Sequence, residues 1–148
     1  MYIVAPIQQK QMTGSAMSKE LGFYIYLDSG YETAVERVTA ELKKEGFGVL
    51  TEIDVKATLK KKIDVDFRPY KILGACNPPL AHKALAAVPE VGLLLPCNVT
   101  VSEEEDGRIL VSIINPYMML GVIDNPDLEE VAGDAEARLS RVATALAN

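Results

Sequence analysis

Cys76 and Cys97 are the only cysteines of the chain, and each is followed by asparagine. Cys76-Asn77-Pro78-Pro79 closes one apolar run, and Leu95-Pro96-Cys97-Asn98 lies inside the next. Two thiols in matched settings can form a redox pair, with one attacking and the other resolving. Cys76 is the candidate nucleophile, because it precedes a helix entrance whose macrodipole favours a thiolate. Pro78 and Pro79 oppose this: they remove two of the N–H groups that would hold an anion, and the Asn77 side chain takes another. Free cysteine is also a small buried hydrophobe. Cys97 reads that way most strongly, since it shares a strand face with Leu95, Val99 and Val101. If their strands are neighbours, the two residues come within disulfide reach, at Cα separations of about 4.4–6.8 Å.

The remaining candidates are polar. His82 is the only histidine, and at 100° per residue it falls well off the apolar stripe of its helix, near the surface. With both cysteines it would still leave zinc one ligand short, so neither a metal nor another cofactor is expected. Glu52 and Asp54 share one side of a strand with Lys56 just beyond, a possible acid–base set whose ordinary reading is a solvated strand end. Asn77, His82, Asn98, Glu52 and Lys56 are therefore the candidate ligand contacts, and Cys76 and Cys97 the candidate reactive groups. Met118-Met119 suits adaptable packing along a pocket or interface. Neither a nucleophile elbow nor a phosphate-binding loop occurs in the chain.

These residues need elements to position them. Phe23, Ile25 and Leu27 alternate with Tyr24 and Tyr26, a half-buried strand. Ser29 and Glu32 fit a capping box for a helix carrying Ala34, Val35, Val38 and Leu42, and Gly46 ends it in a left-handed conformation. A strand over 47–54 follows, with Phe47, Val49, Thr51 and Ile53 on one side. Asp54 caps a short helix striped with Val55, Leu59 and Ile63. Residues 70–76 form an interior strand, apolar on both faces. Asn77 and Pro78 then open a helix buried through Leu80, Ala81, Ala84, Leu85 and Val88. Residues 93–102 and 108–115 make a hairpin around Asp106-Gly107. Asn125-Pro126-Asp127 opens the last helix, with a stripe from Leu128 to Leu146. A hairpin among helices predicts an α+β domain, a mostly antiparallel sheet with helices packed on it. The second side of that sheet keeps Leu94, Leu110, Ile114, Tyr24 and Tyr26, too much apolar area for water, which predicts a homodimer or a covered cleft.

The bulk numbers exclude several classes. The 148 residues form one domain by length, with 49% hydrophobic and 24% charged residues, as in ordinary globular proteins. Fifteen basic against 21 acidic residues give −6, the wrong sign for nucleic acid. Residues 37–71 hold nine Lys/Arg against six Asp/Glu, a local +3 that leaves −9 elsewhere. No apolar run is long enough to span a bilayer, so no membrane partner is expected. Two buried cysteines favour a reducing cytoplasm. Residues 1–16 lack the basic start and long apolar core of a signal peptide, and are expected to be a flexible extension ahead of a domain over 17–148.

The run from Tyr70 to Leu85 (YKILGACNPPLAHKAL) and that from Gly92 to Val99 (GLLLPCNV) resemble the domain of unknown function 302 (DUF 302). Gly46 to Val55 and Asp124-Asn125-Pro126 are similar to members too. The likeness covers roughly 17–148, and residues 1–16 have no counterpart. It implies a TATA-binding-protein-like β-α-β(4)-α arrangement, commonly dimeric and mostly prokaryotic. It implies no established activity, so it transfers no catalytic residue. The expectation is a small cytoplasmic homodimeric domain binding a small ligand or protein partner near the Cys76/Cys97 strands. The alternatives are a thiol redox or sulfur-handling protein using Cys76 with Cys97, and a purely structural interaction module.

Overall fold

The structure, a computed structural model, describes residues 21–148; the extension expected over 1–16 lies outside them. Five strands form one antiparallel sheet: β1 (Gly22–Leu27), β2 (Gly48–Asp54), β3 (Tyr70–Cys76), β4 (Cys97–Glu103) and β5 (Ile109–Ile114), in the order β1-β5-β4-β3-β2. The α+β expectation holds. Helices α1 (Tyr31–Lys44) and α2 (Val55–Ile63) flank β2 in sequence, and α3 (Pro78–Ala87) follows β3. Two further helices, α4 (Pro116–Leu120) and α5 (Pro126–Ala147), complete the chain. No helix among the described residues is long and apolar enough to cross a membrane.

Period-two alternation decides which sheet face is buried. Ile25, Leu73, Val99, Val101, Val111 and Ile113 point inward and are essentially inaccessible. Against them α1 buries Ala34, Val38 and Leu42, and α5 buries a continuous stripe from Leu128 through Leu139 to Leu146. At roughly 2 kcal/mol per fully buried aliphatic side chain, this helix-covered face is the main source of stability. The other face presents Tyr24, Tyr26, Ile72 and Leu110, all half-buried, among Ser112 and Thr100.

Several local expectations hold through their caps. Asn77 Oδ1 accepts from Leu80 N, Asp54 from Ala57 N, and Asn125 Oδ1 from Asp127 N and Leu128 N. Gly46 follows α1 at φ +86°, where a side chain would be strained. Others differ. The N-cap of α1 is Gly30 without a side-chain cap, because the Ser29 hydroxyl donates to the Gly30 carbonyl instead. Phe47 belongs to the turn before β2, and a register shift between Val49 and Thr51 breaks the alternation beyond it, leaving Ile53 47% exposed.

The hairpin's first strand is shorter than its pattern predicts. Pro89–Leu94 is a 3₁₀ helix, Leu95–Pro96 is a cis peptide, and β4 begins only at Cys97. Pro96 has no N–H to give to a ladder, so pairing cannot extend back through it. Leu93, expected inside, is 88% exposed, and neither Leu94 nor Leu95 belongs to the sheet. Helix α4 was not anticipated. It starts where Asn115 Oδ1 accepts from Tyr117 N, an asparagine–proline entrance like those at Asn77 and Asn125.

Candidate functional site

The ends of β3 and β4 meet the entrance of α3 at a cleft of about 300 Å³. Its walls come from remote parts of the chain. Phe47, Leu50 and Thr51 close one side, Leu80, Ala81, Ala84 and Leu85 of α3 another, and Leu95-Pro96-Cys97 a third. Pro116, Met119 and Leu120 of α4, with Val131 and Ala135 of α5, form the floor. No Asp, Glu, Lys, Arg or His lines it. Such a cavity favours neutral apolar groups, because a charge entering it would lose hydration and gain no counter-ion.

Both cysteines line this cleft, and neither is in a disulfide. Their backbones are neighbours in the ladder: Ala75 is the Cα partner of Cys97, and Cys76 stands one residue beyond that rung, where strand alternation turns it from the face that Ala75 and Cys97 share. Cys76 is half-buried, while Cys97 is 8% exposed. Burial first, and then the charge of Cys76, push the Cys97 thiol up to about 11. Cys97 is therefore a protonated thiol at neutral pH, a poor nucleophile.

Asn77 lines the cleft too, and both ends of its amide are hydrogen-bonded within the protein. Oδ1 caps α3 at 3.2 Å from Leu80 N, and Nδ2 donates to Glu45 O at 3.4 Å. The same carbonyl accepts from Arg138 Nη1 at 3.1 Å, tying together the end of α1, the start of α3 and the middle of α5. Gly74 brings the wall close on the sheet's other face. A Cβ there would collide with Thr51 Oγ1 and lie 2.8 Å from Pro96 Cγ.

The other candidates lie apart from the cleft. His82 is exposed on α3 and faces a separate surface groove with Lys83, Asp127 and Glu130. Asn98 is exposed, opposite Gly74 in the ladder. Glu52 sits on the sheet edge and pairs with Lys71 Nζ at 2.7 Å, and Glu32 stands 3.9 Å from the same ammonium. That hydrogen bond to Glu52 raises the Lys71 pKa, so this lysine stays charged. Burial and the nearby carboxylates, Asp54 foremost, push Tyr31 up to about 12. Lys56 Nζ donates to Phe67 O at 3.2 Å. Asp54 caps α2 and is not paired with Glu52 for acid–base work. Among the described residues no three His, Cys, Asp or Glu side chains gather to hold a metal.

Sequence reasoning missed most of the wall. Leu80 and Ala84 read as plain helix core, and Val131 and Ala135 as a stripe of α5. Only Met119 carried a signal, as an unbranched side chain suited to an irregular surface.

Comparison with known proteins places the chain among relatives of undefined activity. An uncharacterized protein of Aquifex aeolicus (strain VF5) is 32% identical over 93 residues, 54% of this chain. The chain covers 65% of that curated relative's length. The crystal structure of an uncharacterized conserved DUF302 protein from Bacillus stearothermophilus superimposes with a TM-score of 0.78 at 34% identity, covering 85% of this chain and 98% of the other. Residues 24–146, nearly all of the described chain, match the family described as "Domain of unknown function DUF302", and the protein belongs to that family.

Proposed function

We propose that the protein is a binding domain that takes a neutral, largely apolar small molecule into the Cys76/Cys97 cleft. The observation that carries this reading is the cleft itself: about 300 Å³, walled mostly by apolar side chains from six segments, without a charged residue. Its volume lies at the lower end of small-molecule sites, which span roughly 300–1,000 Å³. Leu50 is 69% exposed and Leu85 40%, so the rim as well as the interior offers apolar contact. Recognition by shape and desolvation follows, with no ionic anchor.

The domain acts as a homodimer in the cytoplasm in this reading. The half-buried Tyr24, Tyr26, Ile72 and Leu110 on the open sheet face support the dimer, since such a surface gains about 25 cal/mol per Å² when covered. Two unpaired cysteines support a reducing compartment. With the short helices set aside, the element order β-α-β-β-β-β-α supports the TATA-binding-protein-like arrangement that the family resemblance implies.

The thiol redox alternative has the shared cleft in its favour and Cys97 against it. A thiol at about 11 leaves about one part in 10⁴ as thiolate at pH 7. The test of the binding reading is titration with N-phenyl-1-naphthylamine, a neutral fluorescent probe, and displacement by 1-decanol. Saturable one-to-one binding, lost when Ala81→Trp fills the cleft in a folded protein, supports it. No saturable binding, or binding that Ala81→Trp leaves unchanged, refutes it.

A further inference from the structure

The cleft has an exposed rim and a buried bottom. Leu50 and Leu85 stand exposed at the rim, whereas Leu120, Val131 and Ala135 at the floor are buried. The 3₁₀ turn that carries the exposed Leu93 abuts the same rim, since a Cβ on Gly92 would lie 3.7 Å from Leu85 Cδ2. Small side chains open the space between: Ala81 and Ala84 share one side of α3, and Ala135 is on α5, which packs against α3.

The wall offers a ligand almost nothing to hydrogen-bond. Both ends of the Asn77 amide are taken within the protein, and Thr51, the one hydroxyl-bearing residue of the lining, is exposed. The thiols are weak donors. A polar group carried to the floor would lose its water and gain no partner. Water-soluble molecules of this size carry at least one such group, and only the mouth leaves it hydrated.

We infer that the ligand is the unbranched alkyl chain of an amphiphile, inserted tail first, with its polar head in solvent beside Leu50 and Leu85. This rests on the apolar-ligand reading of the cleft and adds the class, orientation and length of the ligand. An apolar cavity of about 150 Å³ holds the six carbons of benzene, so about 300 Å³ holds roughly twelve. A free fatty alcohol and one chain of a bilayer lipid share this chemistry.

The test is calorimetric titration of the full chain with alkyl maltosides of eight to fourteen carbons, below their micelle concentrations. Their bulky neutral head cannot enter, so only the tail is read. Affinity should rise about fourfold per methylene and level off near ten to twelve carbons. Ala81→Leu, which fills part of the cleft, should shorten that limit by about two carbons, and Met119→Ala, which deepens the floor, should lengthen it by about two. Circular dichroism checks folding, and either variant is decisive if the other does not fold. With 1,10-decanediol the far hydroxyl is buried unpaired, so it should bind at least about tenfold more weakly than 1-decanol. Sedimentation with phosphatidylcholine vesicles separates the two sources: release of pelleted protein by 1-decanol assigns a bilayer chain, and protein left in the supernatant a free one. Affinity that ignores chain length, that climbs undiminished to fourteen carbons, or that is equal for the diol and 1-decanol overturns the inference. Any of these results alongside saturable naphthylamine binding leaves the apolar-ligand reading standing, whereas binding of neither naphthylamine nor alkyl chains removes both.

Discussion

Asn77→Ala is the substitution that most directly tests how the cleft is held. Asn77 is 7% exposed and makes two hydrogen bonds, accepting from Leu80 N at 3.2 Å and donating to Glu45 O at 3.4 Å. Loss of a helix cap costs typically about 1 kcal/mol. Loss of the second bond costs less than a fully unsatisfied carbonyl would, because Arg138 still donates to Glu45 O at 3.1 Å. At 3.4 Å the Asn77 contact is also long, so about 0.5–1 kcal/mol is its share. The sum is about 1.5–2 kcal/mol, or a fall in Tm of about 3–8 °C for a domain of this size. Asn77→Asp keeps the acceptor at the α3 entrance, where a negative charge is favoured, but loses the donor. It should therefore recover roughly half of the deficit. Urea unfolding followed by circular dichroism measures both. A loss below about 0.5 kcal/mol for Asn77→Ala, or equal losses for the two variants, would refute the assignment of Asn77 as cap and joint.

The Cys97 thiol is raised by burial, so its contribution to stability is full below the unfolded pKa near 9 and is lost as pH rises toward about 11. Wild type should lose about 2–3 kcal/mol more than Cys97→Ala between pH 8 and pH 11 in urea unfolding; parallel pH profiles contradict this. In the native protein at pH 8, Ellman's reagent should react with Cys76 and reach Cys97 only after denaturation, and rapid reaction of both thiols excludes the described burial. Gly74→Ala should destabilise by about 2–4 kcal/mol through collision with Thr51 and Pro96, and Thr51→Ala in the same chain should recover part of that. Wild-type protein should sediment as a dimer at micromolar concentration and Leu110→Lys as a monomer; a monomeric wild type removes the dimer from the proposed function.

The elements with strong local chemistry were legible, and the surfaces assembled from many of them were not. Asn77-Pro78 and Asn125-Pro126 announce helix entrances, because the side chain supplies an acceptor and proline needs no N–H partner. Asp106-Gly107 announces a turn, and Gly107 adopts φ +91° there while Asp106 Oδ1 accepts from Arg108 N. The run Leu93-Leu94-Leu95 misleads, since an unbroken apolar stretch carries no period to separate strand from 3₁₀ helix. Pro96 was the signal against a strand, being unable to donate within a ladder. The apolar side of Val55, Leu59 and Ile63 was read from spacing, yet α2 buries none of its residues, which only its placement at the sheet edge reveals. The cleft had no linear signature. Phe47, Ala84, Met119 and Ala135 meet only after three helices have packed.

The strand order has a consequence for biosynthesis. β1 precedes the other described strands in the chain, yet among the described residues it pairs only with β5, so Gly22 waits for Ile114 before its ladder can close. Until then a nascent chain carries Phe23, Ile25 and Leu27 on an unmatched segment, an inviting target for chaperones or for association between neighbouring chains. Translation that stops short of Ile114 leaves β1 without a partner strand among the described residues, whereas the four strands from β2 onward need only one another.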